Sequence, residues 1–289
     1  MTSSLLSPET HMGVVTLRVA DLDKLTAYYR DTITLDVLAS TLDSVILGRA
    51  GVPIVHLQHA PELKHAGPGQ SGLFHTAILF ESQAALAAAV YSVATKAPGT
   101  FTGSSDHLVS QAFYFTDPEG NGIELYWDRD RTQWSWAHGS VEMDTLYLDP
   151  NAFLQEHLTE AAVDNPRIGG TTVGHVHLSI GDIATAKEFY VDQLGFEQTL
   201  NFGGSALFVS AGGYHHHMGL NIWNSRGAGR RQLTLGLGQV DMIVPTNDDL
   251  AETSERLTHF GNAIRDDGKT LFVDDPWGNV LRLTTPERA

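Results

Sequence analysis

The first apolar–polar alternation in the chain runs from Gly13 to Ala20, where Val14-Val15-Thr-Leu-Arg-Val reads as a β-strand. Asp21 follows as a helix cap, and Leu22 to Asp31 carries apolar residues at helical spacing, with an aromatic pair at Tyr28-Tyr29. The same sequence of signals returns at Gly174. There the strand is Gly174-His-Val-His-Leu-Ser-Ile180, the cap is Asp182, and the aromatic pair is Phe189-Tyr190. Every matching position is displaced by the same number of residues, as Gly13 is from Gly174 and Tyr29 from Tyr190. A second pattern also occurs twice. An apolar strand opens at Gly72-Leu-Phe-His75 and again at Gly236-Leu-Gly-Gln239. A turn closes it at Asp117-Pro-Glu-Gly-Asn121 and again at Asp275-Pro-Trp-Gly-Asn279. Asp and Pro start such a turn and Gly supplies the positive φ. The flanks Ala-Phe-Tyr-Phe115 and Ile123-Glu-Leu-Tyr-Trp are β-type, so the first turn predicts a hairpin with Glu124 on the returning strand.

Internal repetition of this kind predicts a modular fold. Each module reads as a strand, a helix and three more strands, and four modules follow one another. Residues 1–128 hold the first pair and residues 171–289 the second. Residues 129–170 fit neither pattern. They are polar and Trp-bearing, predict a helix after Asp149-Pro150-Asn151, and read as a linker. The expected class is α+β, with four βαβββ modules forming two cup-shaped mixed sheets and the helices outside.

Composition narrows the function. The chain has 289 residues, 42% hydrophobic, and a net charge of −16, which argues against nucleic acid or an anionic membrane as partner. No apolar run reaches the length of a membrane span. The N-terminus MTSSLLSPETHMG lacks the basic and apolar regions of a signal peptide, so a cytoplasmic location is expected. Cysteine is absent. Any metal must therefore sit on His, Asp or Glu.

A carboxylate inside a strand is costly to bury unless it is paired or binds a metal. Glu124 has that position, and His75 lies upstream in an apolar strand. A strand histidine and a strand carboxylate are two parts of the 2-His-1-carboxylate arrangement that holds non-haem Fe(II).

The paired βαβββ units resemble the vicinal oxygen chelate superfamily, which includes glyoxalase I, fosfomycin-resistance proteins and the extradiol ring-cleaving dioxygenases. Within it, His107…Phe113-Tyr114…Asp117-Pro118…Gly120…Glu124 resembles the extradiol dioxygenase signature, and the whole pattern is similar to two-domain bacterial catechol 2,3-dioxygenases. Ser105 departs from the residues that family prefers two places before the histidine. The resemblance implies that the first strand of a module offers one metal ligand and its last strand a carboxylate. Module 1 has Val14 at the ligand position, module 2 has His75 with Glu124, module 3 has His175, and module 4 has Gln239 with Arg282. Only His75, Glu124 and His175 make a complete set. That set requires modules 2 and 3 to share one cup and modules 1 and 4 the other.

The resemblance further implies an extradiol dioxygenase that opens catechol or a substituted catechol with O2 to a hydroxymuconic semialdehyde. Fe(II) would be the cofactor, with Mn(II) as the other metal that such ligands suit, and assembly into a homo-oligomer would be compatible. The segment Tyr214-His215-His216-His217-Met-Gly-Leu resembles the strand that carries the family's acid–base histidine. Alignment through Leu220 assigns that role to His217, and strand alternation puts His215 on the same face and His216 on the other. His107 and Tyr114 are the expected further catalytic residues. His177, Tyr126 and His215 are expected against the substrate. The competing expectation is a glyoxalase I-like metal-dependent lyase or isomerase, whose sites usually offer a fourth protein ligand.

Overall fold

The computed structural model describes residues 5–286. All four modules have the βαβββ order. The first comprises β1 (His11–Val19), α1 (Leu22–Ala27), β2 (Asp36–Ser40), β3 (Ser44–Arg49) and β4 (Val52–His59). The second comprises β5 (Gly72–Phe80), α2 (Gln83–Lys96), β6 (Phe101–Asp106), β7 (Ser110–Thr116) and β8 (Gly122–Asp128). Between the halves lie β9 (Trp136–Ala137) and β10 (Ser140–Val141), a two-stranded ribbon, then α3 (Pro150–His157) and α4 (Glu160–Asp164). The third module is β11 (Thr171–Ser179), α5 (Ile183–Lys187), β12 (Glu197–Phe202), β13 (Ala206–Ser210) and β14 (Met218–Asn221). The fourth is β15 (Gly236–Ile243), α6 (Asn247–His259), β16 (Ile264–Asp266), β17 (Thr270–Asp274) and β18 (Val280–Thr284).

The strands form two eight-stranded mixed sheets. One has the order β16-β17-β18-β15-β1-β4-β3-β2 and draws on modules 1 and 4; the other, β12-β13-β14-β11-β5-β8-β7-β6, draws on modules 2 and 3. This is the pairing that the ligand count requires. The chain also divides into two compact units. Met1–Thr16, Lys64–Phe74 and Gly174–Ala289 make one; Leu17–Leu63 and His75–Val173 make the other.

Helix starts follow the capping residues. The Asp21 side chain accepts from Lys24 N, Asp182 from Thr185 N, Ser82 from Ala85 N and Thr246 from Asp249 N. Asp149 caps α3 with Pro150 at its first turn, where the missing N–H costs nothing. α1 and α5 both pass into a π-helical turn, Tyr28–Thr32 and Glu188–Gln193. Each turn carries a fully buried tyrosine, Tyr29 or Tyr190.

These tyrosines explain the repeated Asp-Pro-x-Gly-Asn turns. Tyr29 Oη donates to Asp117 Oδ2 (3.1 Å), and Tyr190 Oη donates to Asp275 Oδ2 (3.0 Å). The other acceptor sites are filled from within the turn. Asp117 Oδ1 takes the N–H groups of Glu119 and Asn121, and its Oδ2 also takes Asn121 Nδ2. Asp275 does the same with Trp277 and Asn279. Gly120 at φ 87° and Gly278 at φ 78° supply the left-handed residue that closes each turn. Burial raises both carboxyls above the usual aspartate range, against the opposing pull of these hydrogen bonds.

Asp117→Ala should therefore leave the Tyr29 hydroxyl and the turn N–H groups without acceptors and cost about 2–4 kcal/mol in urea unfolding. Tyr29→Phe should cost only about 1 kcal/mol, because Asp117 keeps its other donors. The raised carboxyl also fixes a sign. The fold holds the Asp117 proton more tightly than the unfolded chain does. Its contribution is present at low pH and is lost as pH rises from the usual aspartate range through the raised value. Asp117→Asn should remove that component from the stability–pH curve; an unchanged curve would contradict it.

Candidate metal centre

In the unit that holds modules 1 and 2, His75 stands on β5 and Glu124 on β8. The two strands run parallel with Ala77 opposite Glu124, so His75, two residues before Ala77, shares Glu124's face. His75 Nε2 lies 2.9 Å from Glu124 Oε2, and both side chains are buried. Two donors held at right angles about 2.1 Å from one ion stand about 3 Å apart, so this spacing suits neighbouring ligands. On the antiparallel neighbour β7, Tyr114 sits directly opposite Glu124. Its ring centroid is 5.6 Å from that of His75. Burial, and after it the charge and hydrogen bond of Glu124, push the Tyr114 hydroxyl well above the ordinary tyrosine range. Its hydroxyl therefore favours the protonated form. His107, in the β6–β7 turn, places Nε2 2.7 Å from Tyr114 Oη and Nδ1 2.7 Å from the Asp144 carbonyl. Tyr126 is fully buried with Ala77 and Ala112, and Tyr114 packs against that cluster.

The unit that holds modules 3 and 4 contributes the other histidines. His175 and His177 alternate on β11 and are both buried. The His177 ring lies over Gly219, its partner on β14, where a Cβ would come within 2.9 Å of the ring. Phe74, Trp223 and Phe208 surround that ring at centroid distances of 5.1, 5.3 and 5.7 Å.

The three consecutive histidines require a correction. They are not in a strand: β14 begins at Met218, and the stretch before it turns through Gly212 (φ 62°) and Gly213 (φ 66°). Period-two alternation therefore does not apply. The ring that packs against His175 belongs to His216, at 4.1 Å between centroids, with His215 at 6.0 Å. His215 and His216 share a short Nδ1–Nδ1 contact of 2.7 Å, so one proton lies between them. His217 Nδ1 accepts from Ala211 N (3.2 Å) and lies 3.0 Å from Ser210 Oγ. Its ring lies beside Tyr214 and Phe196. The ring beside His175 is therefore not the one that strand alternation indicates. The Gly-Gly pair just upstream was the signal that the strand pattern fails here.

His75, Glu124 and His175 form a buried group that could hold a metal ion. Each offers one ligand atom, and these atoms all lie within 4.8 Å of one another. The donor set is two imidazole nitrogens and one carboxylate oxygen. The corresponding positions of module 4 are occupied differently. Asp241 stands opposite Arg282, as Ala77 stands opposite Glu124. Arg282 Nη1 bonds Asp241 Oδ2 (2.5 Å) and Gln239 Nε2 donates to Asp241 Oδ1 (2.6 Å). An internal ion pair fills that place.

The chain belongs to the Glyoxalase/Bleomycin resistance protein/Dioxygenase superfamily, which matches residues 11–125 and 172–283. It is 36% identical over 273 residues to a catechol-2,3-dioxygenase of Bacillus subtilis (strain 168), covering 93% of this chain and 94% of that protein. Two solved structures share the fold at low identity. A protein of Bacillus subtilis subsp. subtilis str. 168 superposes with a TM-score of 0.67 at 13% identity, over 98% of this chain and 86% of its own. Glyoxalase I from Zea mays superposes at 0.60 and 17% identity, over 96% and 92%. Among the described residues, no helix is long and apolar enough to cross a membrane.

Replacing Glu124 by Ala should abolish retention of a divalent metal and leave the fold intact. Replacing His75 or His175 by Ala should weaken retention strongly. Elemental analysis after gel filtration reads this directly, and full metal content in all three variants would reject the assignment.

Proposed function

We propose that this chain is an extradiol ring-cleaving dioxygenase that opens catechol or a simple substituted catechol with O2 to a hydroxymuconic semialdehyde. The observation that carries the reading is the buried His75–Glu124–His175 donor set in a chain 36% identical to a catechol-2,3-dioxygenase. Two histidines and one carboxylate are the facial set of non-haem Fe(II) oxygenases, and Fe(II) is the proposed cofactor. Bound there, Fe(II) would supply Lewis acidity and a template for the adjacent oxygens of the diol and for O2.

The chain's own residues supply the rest. Tyr114, held protonated, offers a hydroxyl beside Glu124, with His107 behind it. His177, ringed by Phe74, Phe208 and Trp223, offers an aromatic wall to a flat substrate. The acid–base role falls to His216, whose ring lies against His175 and whose Nδ1 shares a proton with His215. That pair can take up a diol proton and return it later in the reaction. Tyr126, fully buried, supports Tyr114 from beneath.

The reading is tested by anaerobic reconstitution with Fe(II), followed by oxygen uptake on a panel of catechols. Consumption of one O2 per ring opened is expected. Absence of uptake on every catechol, with hemithioacetal isomerisation in its place, would transfer the chain to the glyoxalase chemistry of the same superfamily.

His216→Ala should keep its metal and lose about 10²–10⁴-fold in turnover. His217→Ala should lose less, because its Nδ1 is engaged by the Ala211 N–H. The reverse order in the two variants would return the acid–base role to His217.

A further inference from the structure

β6 is the edge strand of its sheet, and an open edge invites unwanted pairing. The segment after β10 covers this edge. Asp106 N donates to Leu146 O (3.0 Å) and Leu146 N to Asp106 O (2.9 Å), an isolated antiparallel bridge. Ser105 Oγ donates to Leu146 O (3.2 Å) and Ser104 Oγ to Leu148 O (2.7 Å). These four bonds dock residues 144–148 beside the turn that carries His107. Leu108 in that turn has φ 70°, and the Asp106 carboxylate holds its N–H (2.9 Å).

The docked segment makes one further contact, and it is chemically selective. The Asp144 carbonyl lies 2.7 Å from His107 Nδ1. A carbonyl can only accept, so Nδ1 must carry a proton. In the neutral ring Nε2 is then a lone-pair acceptor, and Nε2 is the atom 2.7 Å from the Tyr114 hydroxyl. That hydroxyl has one proton and two facing acceptors, His107 Nε2 and the Glu124 carboxylate. In the opposite tautomer Nε2–H would donate to Tyr114, and the tyrosine proton would turn to Glu124.

We propose that residues 144–148 are a positioning element, in which the Asp144 carbonyl fixes His107 as its Nδ1–H tautomer and thereby makes Nε2 the acceptor of the Tyr114 hydroxyl. The inference rests on the reading of Tyr114 and His107 as residues of the active site. It gives part of the linker a role in orienting a side-chain pair as well as in joining the two halves.

The tautomer is read from the 15N shifts of the His107 ring in the metal-free full-length protein, at a pH where the ring is neutral. No substrate is needed, so the result is independent of whether catechols are cleaved. Nδ1–H with an unprotonated Nε2 is expected. Nε2–H in the wild type would overturn the proposal. Ser104→Ala/Ser105→Ala removes two anchors, and Leu146→Pro removes the bridge N–H. In whichever of these folds, fast exchange of the neighbouring amides marks undocking. An Nε2–H signal should then appear, and kcat for catechol should fall about tenfold with KM nearly unchanged. Ser104→Thr/Ser105→Thr, which keeps both hydroxyls, should restore the Nδ1–H signal and the rate. An undocked segment with the Nδ1–H tautomer intact would overturn the assignment, because the carbonyl would then not be what selects it.

Discussion

The acceptor capacity of one buried carboxylate governs much of this structure. Asp117 takes two backbone N–H groups, one amide and one tyrosine hydroxyl, and so ties the β7–β8 turn to the π-helical turn of module 1. That tie sets register. With Thr116 opposite Gly122, Tyr114 falls opposite Glu124 and Ala112 opposite Tyr126. Side chains alternate with period two, so a slip of one residue would turn Glu124 to the other face and dismantle the donor set. Asp275 repeats the arrangement with Tyr190, and there the register places Phe272 opposite Arg282. The turn motif is thus a register device, and its conversion to a metal centre depends on what the following strand carries.

The modular fold was legible in the sequence because its signals are local and repeated. An alternating strand, an Asp cap and a helical run recur at one displacement, and no tertiary information is needed to see that. The strand order of the two sheets is non-local, yet it too could be inferred. Val14, Gln239 and Arg282 cannot make a site together, whereas His75, Glu124 and His175 can, and that count demands modules 2 and 3 in one sheet. The π-helical turns were not legible. Nothing in Tyr28–Thr32 or Glu188–Gln193 distinguishes them from ordinary helix, and the tyrosine–aspartate bonds that each turn makes are non-local.

The candidate site was legible to the extent that its residues lie in regular strands. His75, Glu124, His175 and Tyr114 obey period two, and their faces follow from their numbers. His215 to His217 do not, because Gly212 and Gly213 take positive φ and break the strand just before them. A residue count cannot say which of three consecutive rings meets His175. One contact of the linker was not legible for a related reason. Its contribution at Asp144 is a backbone carbonyl, which every residue type offers, so no side-chain pattern marks it.

The two sheets also show how one scaffold carries opposite chemistry at equivalent positions. In module 4 the carboxylate at Asp241 meets a guanidinium on the facing strand, and the charge is balanced within the protein. Such a place is closed, because the cation is built in. In module 2 the carboxylate at Glu124 meets His75, an imidazole that is a neutral donor when it acts as a ligand. Leaving a buried carboxylate uncompensated costs several kcal/mol, on the order of the whole penalty for breaking a buried ion pair. His175 adds a second imidazole nitrogen within ligand distance. With both imidazoles acting as neutral ligands, the donor set would carry one negative charge, which a divalent cation would balance with one positive charge to spare. The positive charge that Arg282 builds into one sheet is, at the donor set of the other, one that a bound metal would supply.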